Sequence, residues 1–261
     1  MNVNKTNDDK SAKNVTSYKK PTKIVQALSL PTLCNINPRS IYNKIDEFHE
    51  FVKEEQVDII FISESWEREH LPLDKIIHLE DFVTISNVSQ RKEVGDRPAL
   101  VVNTKKYHVQ NVTNSLVQIP WGVEAVWCVL TPTNVTHDSK VQKIACCSFY
   151  SKPDSRKKSL LLDHISDAFN ILSTKYGRGL HFALAGDAND LTLDTILSLS
   201  PSLVQIVEDF TRMDPPKLLD PIITTLSVYY QRPMCLEPLD ADPDKKWGKQ
   251  IIGLWLPSPS V

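Results

Sequence analysis

The chain has 261 residues, of which 41% are hydrophobic and 24% are charged, and its formal net charge is −2 at pH 7. A chain of this length and apolar content can bury one large core, so a single main domain is the expected organisation. The near-neutral charge excludes the strong overall basic field of an avid, non-specific nucleic-acid binder, but not an enzyme with a local basic rim.

Residues 1–23 are polar, Lys-rich and without hydrophobic periodicity, so we expect a disordered tail. The first twenty residues lack the apolar core of a signal peptide, and no stretch reaches the ~18 apolar residues of a membrane span. The five cysteines show no Cys-x-x-Cys spacing, and an odd number fits no disulfide framework. We therefore expect a monomer of the cytoplasm or nucleus, with no membrane contact and with its cysteines reduced.

Two segments, residues 43–55 and 156–176, show the apolar spacing of amphipathic helices. Strand-like apolar segments accompany them at residues 57–63, 99–103, 123–130, 142–150 and 180–185. This pattern favours an α/β fold in which two β-sheets face each other and helices cover the outside, a sandwich of four layers. Trp66, Trp121 and Trp127 are predicted to be core or rim aromatics rather than base-stacking platforms, because nothing in their spacing indicates stacking.

The most informative motif is Gly186-Asp187-Ala188-Asn189, which directly follows the apolar run 180–185. Residues two apart in an extended chain point the same way, so Asp187 and Asn189 can converge on one phosphate or one water. The same residues are also common in ordinary turns, where Asp and Asn side chains bond their own backbone.

Further polar residues stand at or near the ends of other apolar runs. Glu64 follows the run 59–62, and in chain order the others are Asn35, Asn37, Tyr150, Thr211, Arg212 and Asp220. The order Asn, Glu, Tyr, Asp-x-Asn, Thr-Arg, Leu-Asp resembles the endonuclease/exonuclease/phosphatase superfamily. It looks most like the endonuclease domain that precedes the reverse transcriptase in animal non-LTR retrotransposons. The resemblance runs from about Leu28 to Gln250.

The resemblance implies that residues 24–250 form a two-sheet α/β sandwich that cleaves DNA phosphodiester bonds by metal-assisted hydrolysis. Mg²⁺, or Mn²⁺ in its place, takes oxygen ligands, usually one or two carboxylates with several waters retained. Glu64 is the expected metal ligand. Asn37 stands beside it, as a ligand or as the residue that orients the metal-bound carboxylate.

The resemblance also assigns the catalytic side chains. Asp187 would orient or activate the attacking water, and Asn189 would donate a hydrogen bond to a phosphoryl oxygen. Tyr150 would donate its phenol hydrogen to the phosphate. Asp220 would take a second metal or lie behind the site. The alternatives are that Tyr150 is simply a buried aromatic with a satisfied hydroxyl, and that Glu64 is an acid at a solvated strand end.

Three residues are expected to contact the substrate phosphates. Arg39 lies in Asn37-Pro38-Arg39-Ser40-Ile41, which is similar to the Asn-x-Arg-Ser-Leu of retrotransposon endonucleases, and Thr211 and Arg212 match the family's Thr-Arg. Arginine suits this task because its guanidinium binds phosphate through two hydrogen bonds. As alternatives, Arg212 is a surface charge at a turn, and Asn35 rather than Asn37 is the site residue.

Two features depart from the family pattern. The family ends with Ser-Asp-His, whose Asp polarises a His that contacts the scissile phosphate, and no such motif follows Gln250. Residues 251–261 are therefore expected to be an aberrant tail that lacks the last core strand and this catalytic pair. Arg97 is the second departure, because relatives carry a Gly-Gly run before the strand that starts at Ala99.

Three functions therefore compete. The first is a Mg²⁺-dependent endonuclease domain of retrotransposon origin with impaired turnover, which acts on the DNA backbone beside a fused or lost reverse transcriptase. The second is an inactive relic that binds nucleic acid or protein. The third is a phosphatase of the same superfamily, because fold does not determine substrate. Metal-dependent nicking of a plasmid would favour the endonuclease. Salt-dependent binding without cleavage would favour the relic. Release of phosphate from a monoester would favour the phosphatase.

Overall fold

A computed structural model describes residues 30–87, 97–135, 139–207, 212–213, 216–230, 234–236 and 252–255. The first sheet has the strand order β13 (Met234–Leu236), β14 (Ile252–Trp255), β1 (Leu33–Ile36), β2 (Ile59–Ile62), β4 (Ala99–Asn103), β3 (Phe82–Ser86). The second has the order β5 (Tyr107–Asn111), β6 (Glu124–Pro132), β7 (Lys143–Tyr150), β8 (Leu180–Asp187), β12 (Ile222–Thr224), β9 (Val204–Gln205). A hairpin joins β10 (Arg212–Met213) to β11 (Pro216–Lys217). The predicted tail, residues 1–23, lies outside the described residues.

The helices are α1 (Ile45–Glu54), α2 (Ser155–Tyr176) and α3 (Asp194–Leu197), with 3₁₀ turns at Leu73–Lys75 and Ser227–Tyr229. Both predicted helices are present, each within two residues of its expected start. The two six-stranded sheets face each other, with α1 outside the first and α2 outside the second. The predicted four-layer α/β sandwich is confirmed.

Helix α2 shows how the sequence builds an outer layer. The side chain of Asp154 accepts hydrogen bonds from the backbone N–H groups of Arg156 and Lys157, which caps the helix start. The helix ends at Gly177, whose φ of 64° favours glycine. Between these ends, apolar residues recur at helical spacing and are buried against the second sheet: Leu161, Ile165, Ala168 and Leu172. Each buried side chain of leucine size contributes roughly 1.5–3 kcal/mol.

Two buried hydrogen bonds link the sheets near one end of the sandwich. The Asn35 Nδ2 of β1 donates to the carbonyl oxygen of Gly186 in β8 over 3.3 Å. The Ser148 hydroxyl of β7 donates to the carbonyl oxygen of Ile62 in β2 over 2.8 Å. These bonds set the separation of the two sheets at the end where β1, β2, β7 and β8 finish.

Gly186 is required by the close approach of β7 and β8. A Cβ atom at this position would lie 1.9 Å from the backbone oxygen of Phe149, which is far inside van der Waals contact. The parallel register pairs Phe149 with Gly186 and Tyr150 with Asp187. Glycine therefore lets the two strands stay paired up to the position of the acid.

The C-terminal end of the chain corrects one expectation. Residues Ile252–Trp255 form β14, which pairs antiparallel with β1 and with β13 inside the first sheet. The sheet therefore has a strand where none was expected after Gln250. The physical reason is that Ile251 to Leu256 is a short apolar run, which can complete a sheet whatever motif follows it. The proposed domain boundaries at residues 23 and 250 stay predictions.

Four cysteines are confirmed as small buried side chains with free thiols: Cys34, Cys128, Cys146 and Cys147. Burial raises their thiol pKa values where a change is resolved, as for Cys147. Among the helices of the described residues, none combines the length and apolar character that crossing a bilayer requires.

Candidate active site

The predicted site residues meet at one end of the space between the sheets. Along β8, Ala183 and Ala185 face the core between the sheets, and strand alternation carries Asp187 to the same side. Leu33 faces the same core from β1, and the same alternation brings Asn37 to this end. Because β1 and β8 finish together, Asn37 and Asp187 are in contact although 150 positions separate them.

Asn37 joins the two acids of the site. Its Nδ2 donates to Oε1 of Glu64 and to Oδ2 of Asp187, each over 2.9 Å. Its Oδ1 accepts from the backbone N–H of Arg39 over 3.2 Å, which sets the orientation of the amide. Asn37 and Asp187 are buried, whereas Glu64 is half-buried. In this arrangement Asn37 orients both carboxyl groups and presents hydrogen-bond donors to them.

Burial raises the pKa of Asp187 from its ordinary value of 3.8 to about 7. The backbone N–H of Asn189 opposes this change, because it donates to the charged form. The neighbouring Glu64 charge raises the pKa further, and the Asn37 amide lowers it. A carboxyl group with a pKa near neutrality suits a general base, and a cation between the two acids would stabilise the charged form of both.

Asn189 and Ser151 hold the loop that follows β8. The Asn189 backbone N–H donates to Oδ1 of Asp187 over 2.8 Å, in a left-handed conformation with a φ of 49°. The Asn189 Nδ2 donates to the Ser151 carbonyl over 2.8 Å, and the Ser151 N–H donates to the Asp187 carbonyl over 2.8 Å. The turn chemistry that the sequence offered as the alternative is therefore present, and it also aims Asp187 at Asn37.

Tyr150 and Asp220 flank Asp187 on either side. The register of β7 and β8 pairs Tyr150 with Asp187, so their side chains emerge on the same face of the sheet. The Ala188 N–H donates to the Leu219 carbonyl over 2.7 Å, which brings Asp220 beside the end of β8. Asp220 is buried, and Tyr150 is half-buried. The structure thus gathers five separate sequence motifs at this end of the sandwich.

Trp66 belongs to the site, although the sequence predicted only a core or rim aromatic. Its Nε1 donates to Oε2 of Glu64 over 3.3 Å, while its indole remains 41% exposed. It is a rim aromatic, as is Trp121, whereas Trp127 is fully buried in the core. The one signal in the sequence was that Trp66 stands two positions after Glu64.

The remaining predicted residues have different placements. Asn35 is fully buried and bonds across the sheets, so Asn37 is the residue that contacts the acids. Arg39 is exposed in the loop after β1, with a φ of 46°. Arg212 lies in β10, where its backbone pairs with Lys217. Thr211 lies outside the described residues.

The donor set fits a hard divalent cation. In the described part of the chain, no group of three or more His, Cys, Asp or Glu side chains is placed to hold a metal. Glu64 and Asp187 nevertheless offer two carboxyl groups bridged by one amide, and Asp187 is destabilised in its charged form. Mg²⁺ needs only one or two protein carboxylates, because it keeps waters and takes substrate phosphate oxygens as further ligands.

The two histidines with resolved hydrogen-bond partners lie away from this end. His181 is at the opposite end of β8 and contacts Thr225. His164 is on α2, where its Nε2 accepts from Nε1 of Trp127 over 3.0 Å. Arg97, the unexpected residue before β4, is buried, and its carbonyl oxygen accepts from the backbone and hydroxyl of Ser65.

No protein-family model and no curated protein matches this sequence, but solved structures match its fold. The endonuclease domain of TRAS1, a telomere-specific non-LTR retrotransposon, matches with a TM-score of 0.59 and 16% identity, over 86% of this chain and 96% of that chain. An AP endonuclease from Archaeoglobus fulgidus matches with a TM-score of 0.60 and 13% identity, over 88% of this chain and 100% of that chain.

A third structure carries the superfamily's name. It is an endonuclease/exonuclease/phosphatase from Bacteroides vulgatus, with a TM-score of 0.61 and 12% identity, over 87% of this chain and 99% of that chain. At such low identities the similarity lies in the fold. The chain has the fold of the endonuclease/exonuclease/phosphatase superfamily.

Proposed function

We propose that this protein is a Mg²⁺-dependent phosphodiesterase that cleaves DNA, descended from the endonuclease domain of a non-LTR retrotransposon. The observation that carries the proposal is the bridge from Glu64 through Asn37 to Asp187 at the end of the inter-sheet space. Two acids held by one amide, one of them with a pKa of about 7, match the needs of metal-assisted hydrolysis.

Each side chain then has a defined task. Asp187 accepts a proton from the attacking water, and Asn37 keeps its carboxyl group aimed at that water. Tyr150 and the second Nδ2 hydrogen of Asn189, the one not bonded to the Ser151 carbonyl, donate hydrogen bonds to the phosphoryl oxygens, where negative charge grows as the water attacks. Glu64 would hold the cation, with Asn37 beside it. When bound, Mg²⁺ supplies neutralisation of the phosphoryl charge.

Residues 1–261 contain no Ser-Asp-His, and the rate expected of a chain with these residues follows from that. One pre-placed hydrogen-bond donor to the developing charge contributes ~3–4 kcal/mol, or a hundredfold or more in rate. We therefore expect nicking of supercoiled plasmid that is very slow or undetectable with Mg²⁺. Replacing the residues after Gln250 with a strand that ends in Ser-Asp-His should raise the rate, and Asp187→Ala in that repaired chain should lower it again.

The plasmid assay has a matched control. Asp163 is an exposed acid on α2, so Asp163→Ala removes one negative charge without touching the candidate site. Asp187→Ala should abolish nicking, while Asp163→Ala should leave it unchanged. Rapid nicking by the wild-type chain that depends on Asp187 would show that a missing histidine does not limit this protein.

The lack of Ser-Asp-His within residues 1–261 also favours a second candidate function, an inactive relic that binds nucleic acid. DNA binding that weakens linearly with the logarithm of salt concentration, without any cleavage, would favour this function over hydrolysis. Release of phosphate from a soluble monoester would instead favour a phosphatase. The retrotransposon origin has its own test. A reading frame for Ser-Asp-His and a reverse transcriptase in the nucleotide sequence after the Gln250 codon would support it.

A further inference from the structure

Trp66 is the most exposed member of a segment whose neighbours are buried. Ser65 and Glu67, on either side of it, are both 0% exposed, whereas the Trp66 indole is 41% exposed. A single exposed aromatic is ordinary at a protein surface. The exposure of Trp66 is informative only together with its backbone conformation and its contact to Glu64.

The backbone holds Trp66 in this exposed position. The Ser65 hydroxyl donates to the Arg97 carbonyl over 2.7 Å, and Oε1 of Glu67 accepts from the Leu73 N–H and the Ser86 hydroxyl. Trp66 itself adopts a φ of 54°, a left-handed conformation that is unfavourable for a residue with a Cβ atom. Buried hydrogen bonds on both sides thus maintain a strained residue whose ring faces solvent.

The ring is also tied to the candidate metal ligand. The Trp66 Nε1 donates to Oε2 of Glu64, and Oε1 of the same carboxyl group accepts from Asn37. The indole edge is thereby attached to the acids, so the exposed ring lies beside the point where the scissile phosphate is proposed to bind. A group attached to that phosphate would lie within reach of the ring.

We propose that Trp66 is the stacking platform for the nucleobase next to the scissile phosphate, and that it selects nucleic acid with an unpaired or extruded base as the substrate. This inference rests on the proposed function. An aromatic face stacks on any base, whereas a phosphomonoester without a base gains nothing from it. Through Nε1, Trp66 also acts as a positioning residue for Glu64.

The two roles can be separated by two substitutions. Trp66→Phe keeps an aromatic face but removes the Nε1 donor, and Trp66→Leu removes both. Binding of a fluorescein-labelled single-stranded DNA, measured by anisotropy in EDTA, should weaken about tenfold or more in Trp66→Leu and much less in Trp66→Phe. The rise in melting temperature on adding Mg²⁺ should shrink in both variants, because both leave Glu64 without its indole partner.

Trp121 provides the matched control. It is 72% exposed in the loop before β6, so Trp121→Leu removes a second exposed indole and leaves the bond from Trp66 Nε1 to Glu64 in place. Its DNA affinity should stay within about twofold of wild type. Equal loss in Trp121→Leu and Trp66→Leu would overturn the assignment, because it would mean general aromatic adhesion.

A second measurement is made first on the wild-type protein. Single-stranded DNA that carries 2-aminopurine at successive positions should show quenching at one position when the wild-type protein binds, since stacking on indole quenches this base. Trp66→Phe should keep that position and alter the degree of quenching. No position-dependent quenching with bound DNA would overturn the platform but leave the proposed nuclease standing. No DNA binding by the wild-type chain would overturn the nuclease proposal itself.

Discussion

Replacing Asp187 by Asn should stabilise the metal-free protein at alkaline pH. Asp187 is 5% exposed, and burial together with the Glu64 charge raises its pKa to about 7 against an ordinary value of 3.8. The folded protein therefore binds a proton between pH 4 and pH 7 that the unfolded chain has already released. It follows that the free energy of unfolding falls as the pH rises through this window.

The size of the effect follows from the two pKa values. The pKa of Asp187 is about 3 pH units higher in the folded protein than in the unfolded chain. Each pH unit corresponds to 1.36 kcal/mol, so the folded protein loses ~4 kcal/mol of stability above pH 7. Between pH 5 and pH 8 the loss is roughly 3 kcal/mol, because part of it has occurred by pH 5. Asn at position 187 cannot ionise, so the variant escapes this loss.

Urea unfolding in EDTA at pH 5 and pH 8 tests this reasoning. The stability difference between Asp187→Asn and wild type should shift by roughly 3 kcal/mol in favour of the variant on going to pH 8. Mg²⁺ at pH 8 should stabilise the wild type more than the variant, because the variant has no carboxylate at position 187 for the cation to neutralise. Asp163→Asn, at an exposed acid on α2, controls for the loss of one negative charge, and its stability relative to wild type should not respond to Mg²⁺. A difference between Asp187→Asn and wild type that is the same at both pH values would refute the raised pKa of Asp187.

The remaining predictions concern the metal and the core. Mg²⁺ or Mn²⁺ should raise the melting temperature of the wild type, and Glu64→Ala should abolish that rise; an unchanged rise would mean that Glu64 is not the ligand. Gly186→Ala should cost about 3 kcal/mol or more in urea unfolding, because its Cβ would meet the Phe149 backbone; a loss below ~1 kcal/mol would contradict this contact. His164→Leu should cost ~1–3 kcal/mol at pH 7, because Trp127 loses its acceptor. Burial lowers the pKa of His164 to about 4. The wild type therefore loses stability as the pH falls from 6.5 to 4. Over this range the difference in free energy of unfolding between wild type and His164→Leu should become smaller. A constant deficit across that range would argue against the lowered pKa.

The longer elements could be predicted from the sequence because their signals are local. The helix at Ser155–Tyr176 and the strand at Ala99–Asn103 lie within one residue of their expected positions, since apolar spacing and strand hydrophobicity are set by neighbouring residues. The strand Ile252–Trp255 was not predicted because its formation depends on strands far away in the sequence. Its partners are β1 and β13, and a four-residue apolar run does not show which strand it will pair with.

The candidate site divides in the same way. The sequence motifs identified Glu64, Asp187 and Asn189 as candidate site residues. The reason is that acids and amides follow the predicted strands in an order that resembles the family pattern. The choice between Asn35 and Asn37 was open in the sequence. It was decided by the sheet-to-sheet contact that uses Asn35 and leaves Asn37 at the acids.

The amino-acid sequence by itself determined the sandwich, the helices that cover it and the types of residue at its strand ends. Only the tertiary structure decided that Asn37 bridges two acids, that Asp187 is buried enough to titrate near pH 7, and that Trp66 faces solvent beside Glu64. Periodicity and capping act over a few residues. Desolvation and contacts between strands 150 positions apart depend on how the two sheets pack.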